Sequence, residues 1–173
     1  MIVAIDIRPL YMFKDRGLGA ALMTALLGLK MNTQPNKYLL LIDEFNYKNC
    51  TDSLIKNNFP RLNEILHDPR FTFRVVPEFS HLMGSYDFTF EQLRLWRNFD
   101  IPQNAIFLGF SFLSPVFSRI PVSLYIPDTF VKVLPYHHDK EDRRIHRWSE
   151  VCIREARQIL TCSENSKRDI VRY

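Results

Sequence analysis

Side chains able to do chemistry are sparse in this chain and gather just beyond short apolar runs. After Ile2 to Ile5 come Asp6-Ile7-Arg8-Pro9 and then Arg16-Gly17-Leu18-Gly19, which leads into a leucine-rich stretch. If that stretch is a helix, the amides of Gly17 and Gly19 stand at its N-terminus, where backbone N–H groups lack intrahelical acceptors and can approach an anionic group. The same two glycines can equally do no more than shape a turn. They do not make a dinucleotide fingerprint, because the third glycine is missing and about eleven residues separate the first apolar run from Gly17.

Two further run ends carry polar groups. Val122 to Ile126 is followed by Pro127 and Asp128, and a carboxylate at such a junction either contacts a ligand or caps the next turn. Asp128 is the one candidate for a catalytic group. Ile159 to Cys162 is followed by Ser163-Glu-Asn-Ser166-Lys167-Arg-Asp169, in which Ser166 stands three residues before Asp169 as in a capping box. That spacing predicts a strand, a turn and a helix capped by Ser166.

Other chemistries find no support. Ser111, Ser114 and Ser163 lack the G-x-S-x-G elbow, and neither an H-E-x-x-H nor a P-loop motif occurs. His137 and His138 are adjacent, so they cannot both face one metal from a helix or strand, and no metal site is expected. Cys50, Cys152 and Cys162 have no C-x-x-C spacing and leave an odd one over, which argues against a disulfide framework or zinc site and fits a reducing cytoplasm. Arg143, Arg144, Arg147, Arg154 and Arg157 hold much of the excess behind the net charge of +4. They form either the solvated face of a helix or a patch for phosphates or anionic lipid. Nucleic-acid binding would need a basic stripe interleaved with exposed aromatics, whereas most aromatics here fall within apolar runs.

Positioning these groups requires a folded scaffold, and the composition supplies one. The 173 residues are 46% hydrophobic and 24% charged, with fourteen Phe against five Gly, as expected of one compact domain over residues 1–173. The N-terminus has no basic leader, and no apolar run approaches the roughly 20 residues of a membrane span, so a cytoplasmic protein is expected, at most peripheral to a membrane. Six apolar runs recur: Ile2 to Ile5, Tyr38 to Ile42, Phe71 to Val76, Ala105 to Leu108, Val122 to Ile126 and Ile159 to Cys162. Continuous rather than alternating, they fit strands buried on both faces of a parallel sheet.

Helical patterns lie between the runs. Leu18, Leu22, Leu26 and Leu29 share one helical face, and Ile145, Trp148, Cys152, Ala156 and Ile159 repeat the pattern behind a capping Asp139. Glu91 to Phe99 makes a shorter helix. Thr51 to His67, with Pro60 in the middle, reads as two short helices because proline starts a helix and breaks its interior. Leu113 to Pro121 is loop-like. The alternation predicts an α/β domain with a Rossmann-like, doubly wound, mostly parallel sheet and right-handed crossovers.

Four segments, in order along the chain, give it a recognisable character: Ile5-Asp-Ile-Arg-Pro with Gly17-Leu-Gly19; Phe90-Glu-Gln-Leu-Arg-Leu95; Pro121-Val-Ser-Leu-Tyr-Ile-Pro-Asp128; and Ala156-Arg-Gln-Ile-Leu-Thr-Cys-Ser-Glu-Asn-Ser-Lys-Arg-Asp169. With them the chain resembles the N-terminal domain of the retaining, nucleotide-sugar-dependent glycosyltransferases of the GT-B fold. In that family two Rossmann-like domains face each other across a cleft, the N-terminal one mainly holding acceptor and the C-terminal one the donor. The resemblance implies transfer of a hexosyl group from a nucleotide diphosphate sugar to an acceptor hydroxyl, on a glycan or lipid-linked saccharide, as in polysaccharide biosynthesis. No metal or other cofactor is obligatory.

By the same resemblance Gly17 and Gly19 match the loop near the donor diphosphate, and Arg8, Pro127, Asp128, Ser163 and Lys167 fall at substrate-binding positions along the cleft. One departure stands out. The family usually places His-Asp after the strand Val122 to Ile126, whereas this chain has Pro127-Asp128, and proline offers neither a ring nitrogen nor an N–H. The donor-binding half is expected beyond Tyr173, so this chain alone is not expected to transfer sugar. The alternative expectation is a non-catalytic α/β subunit or module that presents acceptor.

Overall fold

The computed structural model describes residues 1–13, 17–44, 47, 60–76, 101–110, 120–127, 150 and 152–172. The expected helix Glu91 to Phe99, the first half of Thr51 to His67, most of Leu113 to Pro121, Asp128, Asp139, the His137–His138 pair, Cys50 and Arg143, Arg144 and Arg147 lie outside them.

All six apolar runs form strands of one sheet. Its strands are β1 (Ile2–Asp6), β2 (Lys37–Asp43), β3 (Phe71–Val76), β4 (Ala105–Gly109), β5 (Val122–Tyr125) and β6 (Gln158–Leu160), in the order β3-β2-β1-β4-β5-β6 with every pairing parallel. This is the doubly wound order of a Rossmann-like fold. β1 lies at the centre, with Ile5 opposite Leu40 on one side and Leu108 on the other.

Burial on both faces explains the unbroken apolar runs. Val3 and Ile5 of β1 enter a core with Tyr38, Leu40 and Ile42 of β2, whereas Ala4 and Leu41 enter the opposite core with Phe107, Val122 and Leu124. Successive strand side chains point to opposite faces, so a strand covered twice must be apolar at each position. The two edge strands depart from the expectation of full burial: Thr72, Arg74 and Val75 of β3 are exposed, and so are Gln158 and Leu160 of β6.

The helices are α1 (Arg8–Phe13), α2 (Leu18–Met31), α3 (Pro60–Leu66) and α4 (Glu164–Arg172). Leu18, Leu22 and Leu26 form the buried face of α2, with Leu29 packed against the same core. Burying Leu22 and Leu26 completely is worth roughly 2 kcal/mol each. Pro60 begins α3, where its missing N–H costs nothing.

Two boundaries differ from the sequence expectation. Residues 152–155 are helical but Ile159 belongs to β6, so the pattern assigned to one helix from Ile145 to Ile159 ends by Glu155. β6 also starts and ends earlier than Ile159 to Cys162, because Leu160 is the last residue to pair with β5, opposite Tyr125.

Candidate functional site

The carboxyl ends of the strands form the edge where a doubly wound sheet opens a crevice, and here the order reverses between β1 and β4. Asp6 is the last residue of β1, paired with Leu41, and the Ile7 amide donates to the Leu41 carbonyl at 3.1 Å to carry the chain just past the strand.

At that point Arg8 folds back onto Asp6. Its amide donates to Oδ1 at 3.1 Å, Nε to Oδ1 at 2.9 Å and to Oδ2 at 3.1 Å, and Nη2 to Oδ2 at 2.6 Å. The side chains are 7% and 0% exposed for Arg8 and Asp6. A fork of this kind fixes the guanidinium plane as well as its charge. Arg8, expected as a substrate-binding residue, is therefore the first residue of α1 and one half of a buried ion pair. Sequence reasoning missed Asp6 as its partner, although the Asp-x-Arg spacing was there to be read.

α1 also accounts for the long gap before Gly17. Gly17 is the N-cap of α2 with φ +51° and ψ −117°, a conformation that glycine adopts without strain, and no side chain among the described residues caps the helix there. Ala21 makes the first return bond, to the Gly17 carbonyl at 3.1 Å. Gly17 is exposed, whereas Gly19 is buried in the first helical turn. The turn-shaping role is thus met by Gly17, and the amides preceding Ala21 point from the N-terminus of a 14-residue helix.

At the ends of β5 and β6 the chain is tied laterally. Ile126 donates to the Leu160 carbonyl at 2.8 Å, and the Pro127 carbonyl accepts from Cys162 Sγ at 3.1 Å and from Thr161 Oγ1 at 3.4 Å. Beside them the rings of Phe110, just past β4, and Tyr125 of β5 lie 5.3 Å apart between centroids. These aromatics were not singled out from the sequence, since nothing local distinguishes them from core residues.

The cap of α4 is a correction. Ser163, not Ser166, caps the helix: its Oγ accepts from the Ser166 amide at 3.1 Å, and the Lys167 amide bonds the Ser163 carbonyl at 3.0 Å. Ser166 sits buried inside the first turn, its hydroxyl 3.0 Å from that of Ser163. The helix starts three residues early because β6 ends at Leu160. Lys167 is 63% exposed and lies 3.7 Å from Glu164 Oε2, a solvated pair of little energetic weight.

Pro127 and Ser163 thus stand on neighbouring strand ends, while β1 and β6 are separated by three strand spacings, about 14 Å. Arg8 and Ser163 line one edge without touching. Among the described residues no group of three His, Cys, Asp or Glu could hold a metal, and no helix is long and apolar enough to cross a membrane. Cys152 is buried, which pushes its thiol up to about 11 and leaves it a poor nucleophile. Cys162 is exposed beside the crevice edge. Comparison of the chain with protein-family models, with curated proteins and with solved structures finds no match.

Proposed function

We propose that the chain is the acceptor-side half of a retaining, nucleotide-sugar-dependent glycosyltransferase of the GT-B type, moving a hexosyl group to a glycan or lipid-linked hydroxyl. The observation that carries this reading is the placement of its signature residues. Asp6-Ile-Arg8, Pro127 and Ser163 come from segments up to 157 positions apart, yet stand on the carboxyl edge of one parallel sheet, at the ends of β1, β5 and β6. Ligands bind at that edge in open α/β sheets.

In this reading the edge holds the acceptor, and the α2 N-terminus with Gly17 faces the donor diphosphate. Charge developing on that leaving group is met by helix amides and by cationic side chains of a second domain, the electrostatic contribution that usually dominates such chemistry. Asp128 is the remaining candidate for a group near the reacting carbon. The protein is cytoplasmic, and the arginines between Arg143 and Arg157 hold it against an anionic membrane surface.

A second reading, an acceptor-presenting module without catalysis, is favoured by Pro127. Proline replaces the family's histidine there, and the Pro127 carbonyl is already engaged by Thr161 and Cys162.

Glycan-array screening of the chain, followed by amide-shift mapping with the best binder, tests both. Either reading expects shifts at Ile7, Phe110, Ile126 and Ser163. Shifts confined to the amino edge of the sheet, or no glycan binding, would sink both. Calorimetry separates the halves: micromolar binding of UDP-glucose or GDP-mannose by this chain alone contradicts the assigned division of labour.

A further inference from the structure

Arg70, the residue before β3, is gripped by one element and grips another. Asp68 holds it in a fork: the Arg70 amide donates to Oδ1 at 3.0 Å, Nε to Oδ1 and Oδ2 at 3.1 Å each, and Nη2 to Oδ2 at 2.7 Å. The guanidinium also reaches across the chain to α2 and the turn after it. Nη2 donates to the Lys30 carbonyl at 2.6 Å, and Nη1 donates to the carbonyls of Asn32 and Gln34. Arg70 is itself fixed to the sheet, because its carbonyl accepts from the Tyr38 amide at 2.7 Å near the start of β2.

Among the described residues, these are the hydrogen bonds that join α2 and its C-cap Asn32 to the sheet. The rest of the attachment is apolar, through Leu18, Leu22 and Leu26 with Leu29 beside them. Apolar contact is non-directional, and packed helices slide over such surfaces by about 1–2 Å when a structure changes state. At its other end α2 starts from Gly17 with no cap from a described side chain. A helix of 14 residues is a stiff rod about 21 Å long, so whatever fixes it along its axis at Lys30 also fixes where Gly17 and the free amides after it stand.

We infer that Arg70, oriented by Asp68, is a positioning residue for the crevice: from the amino edge of the sheet it sets the axial position of α2 and so places the Gly17 end at the carboxyl edge. The inference rests on the carboxyl edge being the working edge, as the proposed function has it. Its test needs no ligand, so a chain that binds no glycan can refute that function and still bear out the role of Arg70.

The experiment compares the wild type with Arg70→Met, which keeps the stem and removes the donors, with Arg70→Lys, and with the double variant Arg70→Met/Gly28→Ala, by amide chemical shifts and hydrogen exchange at each residue. The Gly28 carbonyl accepts from the Asn32 amide, and a Cβ at Gly28 meets nothing within 4 Å, so alanine firms the last turn of α2 without a clash. In Arg70→Met the amides of Gly17, Leu18 and Gly19 are expected to shift more than those of Leu40 and Ile42 in β2. Leu26 in mid-helix should keep its exchange rate, as it does when a helix moves whole, while Asn32 exchanges several-fold faster. The double variant should restore protection at Asn32 and leave the shifts at Gly17 to Gly19 in place, which separates displacement of the helix from fraying of its end. Arg70→Lys, which keeps the charge and loses the fork, should show the pattern of Arg70→Met to a smaller degree. Shifts confined to Lys30 to Asn36, their disappearance at Gly17 to Gly19 in the double variant, exchange at Leu26 accelerated as much as at Asn32, or failure of both single variants to fold would each overturn the inference.

Discussion

Arg70 donates through Nη2 to the Lys30 carbonyl at 2.6 Å across 40 positions of sequence. The last carbonyls of a helix have no intrahelical donor, and a cation there also meets the negative end of the helix dipole. Asp68 holds the guanidinium in place, and α2 is thereby anchored at the amino edge of the sheet while its N-terminus lies at the carboxyl edge.

This anchor predicts a pH dependence. The hydrogen bonds from Arg70 hold the Asp68 carboxyl below its usual value. A folded pKa below the unfolded one gives stability that is present above about pH 4 and is lost as pH falls through the folded pKa. Asp68→Asn should therefore lower the thermal midpoint at neutral pH and flatten its decline below pH 4. Arg70→Ala should lower the midpoint at both pH values, and an acid limb as steep as that of the wild type in Asp68→Asn would assign the dependence to other carboxyls.

Tyr38 predicts the opposite sign. Its ring is fully buried and stacks on Phe71 at 4.5 Å between centroids, while its hydroxyl finds no hydrogen-bond partner among the described residues. Leaving a buried hydroxyl unpaired costs about 1 to 3 kcal/mol, so Tyr38→Phe keeps the stacking and should raise the unfolding free energy by about 1 kcal/mol. Urea titration checks it, and a loss of comparable size would mean that the hydroxyl is bonded after all.

Much of this architecture was legible in the sequence, for a physical reason. A strand covered on both faces has to be apolar at nearly every position, so the inner strands β1, β2 and β4 are visible as runs, and the face of α2 is visible as leucines three and four apart. β6 was misplaced because an edge strand ends where its partner ends, and Thr161 and Cys162 turn to the Pro127 carbonyl instead of continuing the ladder. The α4 cap followed the same error: Ser163 and Ser166 are equally good caps by type, and the end of β6 decides between them. At the crevice, the identity of Arg8 could be read but not its fold-back onto Asp6, since residue types do not reveal which way a long side chain turns.

Ser163 carries a prediction about α4. Its hydroxyl satisfies the Ser166 amide, and replacing such a cap with alanine costs about 1 kcal/mol. Ser163→Ala should speed amide exchange through the first turn of α4, at Ser166 and Lys167, whereas Ser163→Asp should retain protection because a carboxylate caps as well and favours the positive helix end. If Ser166→Ala frays the helix start and Ser163→Ala does not, the cap lies where the capping-box spacing had put it.

Cys152 gives the alkaline counterpart of Asp68. Burial raises its thiol from 9.0 to about 11. The unfolded chain therefore loses the thiol proton before the folded chain does, and stability is complete below about pH 9 and declines as pH rises toward the folded pKa. Two units correspond to about 3 kcal/mol at most. Cys152→Ala should remove that decline while lowering stability at neutral pH through the small cavity it leaves. Thiol labelling offers an independent reading: at pH 8 the exposed Cys162 should react with Ellman's reagent rapidly, and Cys152 only at the rate of unfolding. Equal rates for the two in the folded protein would contradict the burial that sets the Cys152 thiol, and with it the predicted alkaline limb.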